Sequence, residues 1–262
     1  MAWEQTIGRV SFINCEPLFY GLEDSWNILS APPSWLTGHL LRKDCILAPI
    51  PAADYAKNSD KLVLVPDLAI SSKGEVGSVL LFGGKPIDEM ETIALPSDSA
   101  TSVTLLRYLI SKRGLSPKYV EMGPDLHGML NQCDGCLLIG DRALESAREF
   151  PELVELDLGL EWKKVSGHPM VFGVFAARRD SNMNKVKLAY DALIQRLIKF
   201  ETDPKVREKV IQVSSVKSSQ DASRLERYFG EVINRIEEED IEGLESFLTS
   251  ACKMENQITL AW

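Results

Sequence analysis

Four hydroxyl side chains, Ser97, Ser99, Thr101 and Ser102, stand directly ahead of the apolar helical run VTLLRYLI. A single Ser or Thr is enough to cap a helix. The surplus sits where free backbone amides and the positive end of a helix dipole converge, which is the chemistry of a cradle for a carboxylate or phosphate. Three further segments place polar groups at the ends of apolar runs. SFINCEPL halts at Asn14 ahead of Pro17, and an Asn at the carboxyl end of a strand either closes its own turn or reaches a ligand. SSKGEVGSVLLF sets Ser71, Ser72 and Ser78 around a glycine turn before a buried strand. LLIGDRAL runs from strand to helix through Gly140 and Asp141, with Asp141 either a helix cap or an acid–base group.

Other reactive residue types fit no catalytic pattern. Cys15 has no base beside it and matches no triad. His39, His127 and His168 are dispersed without metal spacing, and His168 alone adjoins an expected lobe crossing. Cys133 and Cys136 form a C-x-x-C pair, but Cys136 opens an apolar strand and no second pair completes a zinc site. No metal is expected.

These residues need a scaffold. Short β-branched runs such as VSFI, CILAPI, LVLV, TIAL and CLLIG alternate with helical patterns, which predicts an α/β protein with largely parallel sheet. From about residue 184 the pattern reads as helix alone, with Leu225, Phe229, Val232 and Ile236 repeating at helical spacing. The extended runs at 77–84 and 167–180 read as crossings between two lobes, which predicts lobe I over 1–83 and 175–262 and an inserted lobe II over 84–174, with ligand held in the cleft between them.

The chain has 262 residues, of which 45% are hydrophobic, enough for one large core or two lobes. A net charge of -9 argues against nucleic acid or an anionic membrane as the main partner, so an anionic ligand needs a local set of donors. The N-terminal stretch lacks a basic region followed by a long apolar one, and no run reaches membrane-span length, which predicts a cytoplasmic protein. Five cysteines without regular spacing are expected to be reduced thiols.

As a set, SFINCEPLFYGL, APPSWL, SSKGEVGSVLLF, SDSATSVTLLRYL, LLIGDRAL and DLGLEWKKVSGHPMVFGVFA resemble, in order and spacing, the chorismate dehydratases of the futalosine route to menaquinone. The resemblance spans about residues 7 to 180. It implies a type II periplasmic-binding-protein-like fold and a cofactor-free hydro-lyase that removes water from chorismate to leave 3-[(1-carboxyvinyl)oxy]benzoate. It also implies functional roles for Asn14, Ser78 and Asp141, with Thr101, Ser102 and Gly140 on the substrate; Ser34, Ser99 and His168 are further expected substrate contacts. Ala100 departs from the family pattern, which usually has Arg there, and His168-Pro169-Met170 replaces a common Leu-Pro-Phe. Two alternatives remain at this level: a non-catalytic binding protein for a small carboxylate, and the sister dihydroxynaphthoate synthase, whose start matches SFINCEPL poorly.

Overall fold

A computed structural model describes residues 2–262. In chain order the elements are β1 (Thr6–Val10), α1 (Glu16–Phe19), β2 (Asn27–Ala31), α2 (Pro33–Leu41), β3 (Leu47–Pro51), α3 (Ala52–Lys57), β4 (Leu62–Ser72) and β5 (Val79–Gly83). They continue as β6 (Thr92–Pro96), α4 (Ala100–Lys112), β7 (Lys118–Met122), α5 (Leu126–Leu130), β8 (Gly135–Ile139), α6 (Gly140–Glu149), β9 (Val154–Asp157) and α7 (Leu158–Ser166). The chain ends with β10 (Met170–Arg178), α8 (Met183–Thr202), α9 (Pro204–Ser218), α10 (Ala222–Glu231), β11 (Ile233–Arg235) and α11 (Glu238–Ser250).

The strands form two sheets, in the orders β11-β4-β10-β3-β1-β2 and β7-β6-β8-β5-β9. The wiring repeats. In each sheet the strand entering after a crossing, β10 or β5, lies antiparallel to both of its neighbours, while β1–β3 and β6–β8 run parallel. Their registers are fixed by pairs such as Gly173↔Pro51 and Val79↔Ile139. Strands β3 and β5 are buried at every position, as strands covered on both faces must be.

The sheets divide the chain at places other than those expected from sequence. Val79–Gly83 belongs to the second sheet and Met170–Gly173 to the first, so the crossings fall at 73–78 and 167–169, not after 83 and 174. Both strands are apolar on both faces, and nothing in their own pattern says which sheet they join. A second difference lies in the C-terminal part. Leu225 and Phe229 lie in α10, but the residues after Val232 form β11, which pairs with β4 through Ile233↔Ser71.

Local chemistry sets the ends of the elements that matter for the cleft. Asp157 caps α7 by accepting from the Leu160 amide, and the same carboxylate accepts from Val76 (3.0 Å) and Gly77 (2.8 Å), clasping the first crossing. Helix α7 stops at Gly167, whose φ of 80° is a left-handed conformation suited to glycine. At the second crossing, Trp162 donates its indole N–H to the Pro169 carbonyl at 3.0 Å. Helix α4 buries Leu105, Leu106, Leu109 and Ile110, each contributing roughly 1.5–3 kcal/mol of apolar burial. That burial fixes the start of α4 against the cleft.

Candidate functional site

Parallel α/β sheets gather ligands beyond the carboxyl ends of their strands. Here those ends face one another across a cavity holding about 540 Å³ of atom-free space, mouth included. From the first lobe come Val10 and Phe12 after β1, Asn14, Pro33 at the start of α2, and Pro49, Ile50 and Pro51 on β3. From the second come Ser78, Val79, Ser99, Thr101, Ser102, Ile139 and Gly140. Six of the nine residues singled out in the sequence, Asn14, Ser78, Ser99, Thr101, Ser102 and Gly140, therefore share this cavity.

Asn14 sits in a single 3-10 turn, Ile13–Cys15, which is followed directly by Glu16, paired with the buried Arg9 and the half-exposed Lys217. Its carboxamide Oδ1 is buried without a hydrogen-bond partner. An orphaned acceptor costs about 1–3 kcal/mol unless something donates to it, and the cavity is where a donor can arrive. Neighbouring Cys15 has its thiol pushed up to about 12 by burial, which keeps it protonated.

The start of α4 explains the surplus hydroxyls in part. Ser99 is the N-cap residue but makes no side-chain cap bond. The cap comes from the other lobe: Ser34 Oγ accepts from the Ala100 amide at 3.2 Å, and the Ser34 amide donates to the Asp98 carbonyl at 3.3 Å. Thr101 Oγ1 accepts from the Ala53 amide at 3.1 Å. Ser34 thus acts as a stitch between lobes and is absent from the cavity lining. Helical geometry leaves the amides of Thr101 and Ser102 without an intrahelical acceptor, beside a cavity that both residues line.

Ser78 is 3% exposed and receives a hydrogen bond from the Tyr228 hydroxyl at 3.0 Å. Tyr228, on α10 in the first lobe, is fully buried, and burial raises its phenol pKa, so it remains a donor. The sequence gives no sign of this pairing. Tyr228 lies 150 residues from Ser78 and reads as one more core residue of an amphipathic helix. Phe172 and the prolines of β3 are likewise hidden inside apolar runs.

Gly140 begins α6 with φ at 62°, and an added Cβ would lie 2.5 Å from the Phe12 ring of the opposite lobe. Only glycine permits both the conformation and the approach. Its amide donates to the Ser78 carbonyl at 2.7 Å, tying two parts of the site together.

Besides Ser34, two more expected site residues lie outside the lining. Asp141 is in the first turn of α6, not at the N-cap, and its Oδ1 accepts from the Ile13 amide of the other lobe at 3.0 Å. Burial pushes its pKa up to about 6, with the Ile13 hydrogen bond opposing the shift, and it is absent from the cavity lining. His168 lies at the second crossing, with Nδ1 3.9 Å from Glu242, and also stays outside the lining. Asp141 thus meets the turn that carries Asn14, and His168 stands near Glu242 of α11.

Among the described residues all five cysteines are free, with Cys133 and Cys136 buried on the second sheet's core. Among the described residues no helix is long and apolar enough to cross a membrane.

Comparison with known proteins follows the same outline. The family model described as "Menaquinone biosynthesis" matches residues 5–253. The curated chorismate dehydratase of Thermus thermophilus is 30% identical over 259 residues, covering 92% of this chain and 93% of the relative. Among solved structures, protein AF1704 from Archaeoglobus fulgidus is similar with TM-score 0.75 at 18% identity, covering 94% of this chain and 96% of that one. The Candida albicans CA3427 gene product, described as having the generic periplasmic binding protein fold, has TM-score 0.69 at 11% identity, covering 97% and 91%. The alkanesulfonate-binding protein SsuA from Xanthomonas axonopodis pv. citri, bound to MOPS, has TM-score 0.62 at 15% identity, covering 98% and 95%. The fold is that of the periplasmic binding proteins, and by the family match and the Thermus relative the chain belongs to the menaquinone biosynthesis family.

Proposed function

We propose that this chain is a chorismate dehydratase, eliminating water from chorismate to give 3-[(1-carboxyvinyl)oxy]benzoate. The observation carrying the proposal is the convergence of Ser78, Ser99, Thr101, Ser102 and the orphaned Asn14 carboxamide on one largely apolar cavity. Chorismate has two carboxylates and a ring hydroxyl. An acidic protein that buries such a ligand must replace its water with fixed donors, and hydroxyls with helix-start amides are donors of that kind.

In this reading Thr101, Ser102 and their amides hold one carboxylate and Ser78 holds part of the other. Asn14 takes the ring hydroxyl: its Oδ1 accepts the hydroxyl proton in the bound state, and its N–H group supports the oxygen as it leaves. The C–H bond on the carbon bearing the enolpyruvyl ether breaks, and its electron pair becomes the third ring double bond. The neighbouring C–O bond then releases hydroxide, which leaves as water with the proton removed. Aromatisation drives the step, so electrons balance within the substrate.

The lining supports one reading of the proton acceptor. Among the described residues no Asp, Glu, His or Lys side chain lines the cavity, and Asp141 accepts from the Ile13 amide. The substrate's own carboxylate, oriented by the pocket, serves as the base in this reading.

The test is direct. Purified protein mixed with chorismate, without added metal or nucleotide, is expected to yield the benzoate, followed by chromatography. Asn14→Ala and Ser78→Ala are each expected to lower turnover about 100-fold or more with little change in melting temperature. Tight chorismate binding without product would instead make the protein a carboxylate-binding module.

A further inference from the structure

A second cavity opens on the outer side of the lobe junction, with about 560 Å³ of atom-free space, mouth included. It shares no lining residue with the first cavity. Three guanidiniums line it: Arg148 from α6 in the second lobe, and Arg224 and Arg227 from α10 in the first. In a chain of net charge -9 such a concentration of arginine is unexpected from composition. Two of the buried side-chain atoms lacking any partner belong to residues of this one cavity, Gln220 Nε2 and Arg224 Nη1, and both are donors. Gln220 is 3% exposed, so water does not readily satisfy its amide.

The nearby carboxylates leave this set incomplete. Glu231 occupies Nη2 of Arg224 at 2.8 Å, leaving Nη1 without a partner. Glu149 meets Arg148 in a half-exposed pair of the kind that solvent screens strongly. Asp221 is the single carboxylate in the lining, and it is committed to its own helix, accepting from Ser223 Oγ and the Arg224 amide, both at 2.7 Å. Three guanidiniums stand against Asp221, Glu231 and Glu149, so the charges nearly balance, and what the cavity offers a ligand is its two unpartnered buried donors together with the Arg227 guanidinium.

We propose that this cavity is a second ligand site, taking a small oxyanion of the phosphate type, whose several acceptor oxygens bridge Arg148 of one lobe to Gln220, Arg224 and Arg227 of the other. Arg148 already donates to the Ser219 carbonyl across the junction, so the bound anion reinforces an existing contact between lobes. The site also abuts the reaction cavity. Arg224 packs against Gly77 and lies 5.6 Å from the centre of the Tyr228 ring, and Tyr228 is the donor to Ser78.

Calorimetric titration of the full chain with sodium phosphate, and separately with sodium acetate, at ionic strength held constant with sodium chloride, tests the site. One saturable phosphate equivalent is expected, tighter than acetate. Arg227→Met, at an exposed position, and Gln220→Met are each expected to weaken it about tenfold or more. Thr101→Val, which alters the reaction cavity, is expected to leave it unchanged. Absence of saturable binding, acetate binding as tightly as phosphate, or weakening by Thr101→Val but not by Arg227→Met overturns the proposal.

Discussion

The two lobes are wired alike yet contribute unlike surfaces to the space between them. The first lobe offers Phe12, the prolines and Ile50 of β3, Ile70 and Phe172, with Asn14 as its single polar side chain. The second offers Ser78, Ser99, Thr101 and Ser102, together with the amide end of α4. One jaw is therefore a shaped wall and the other a polar grip. Under the proposed function the wall would take the ring and the grip the charged ends, with Asn14 the one polar side chain that the first lobe gives the lining. The same strand order thus serves two purposes because function sits in the loops and helix starts that follow the strands.

Three changes can break or sharpen that contrast. The largest effect is expected from weakening the grip. Thr101→Val combined with Ser102→Ala removes two hydroxyls from a carboxylate and is expected to raise KM for chorismate about 100-fold, whereas Ile50→Val on the wall changes it less than about threefold. Steady-state kinetics on the two variants decide it, and equal effects would erase the distinction between jaws.

A smaller effect is expected where the first lobe reaches into the grip. Tyr228→Phe removes the hydroxyl donor to Ser78, so kcat should fall about tenfold with KM nearly unchanged. Tyr228 acts here as a positioning residue. In a Ser78→Ala background the same change should do almost nothing further, and full additivity would show that Tyr228 acts only on stability.

The smallest effect concerns the contact between jaws at Asp141. Its pKa rises from 3.8 to about 6, chiefly through burial. A carboxyl raised in the folded state stabilises the fold below its unfolded value, and that contribution is lost as pH rises from about 4 through about 6. Asp141→Asn keeps an oxygen for the Ile13 amide and has nothing to ionise. Relative to the parent it should gain about 2 kcal/mol between pH 4 and pH 7.5, measured by denaturant unfolding at both values. Parallel pH curves would remove Asp141 as a titrating contact.

Much of this contrast was readable from sequence, and the unread part has physical causes. The surplus hydroxyls before α4 pointed to an anion cradle, and Asn14 and Ser78 flank apolar strands as ligand-facing groups do in α/β sheets. The crossings were misplaced because β5 and β10 are buried on both faces, so periodicity cannot assign them to a sheet. Ser34 was expected on the substrate but caps α4 from the other lobe, a contact that exists only once the lobes meet. Tyr228 escaped notice because hydrophobic spacing describes which face of α10 is buried and says nothing about a hydroxyl at the end of a core ring. His168 and Asp141 had suitable chemistry at suitable sequence positions, but their partners, Glu242 and the Ile13 amide, are set by a backbone path that spacing does not describe.

The Asp157 clasp has a consequence for how such a molecule moves. One carboxylate secures Val76 and Gly77 while also capping α7, so bending at that crossing gives up several bonds together. Any bend at that crossing therefore costs hydrogen bonds on the strand side and the helix side together, which ties the shape of the hinge to the integrity of a single carboxylate.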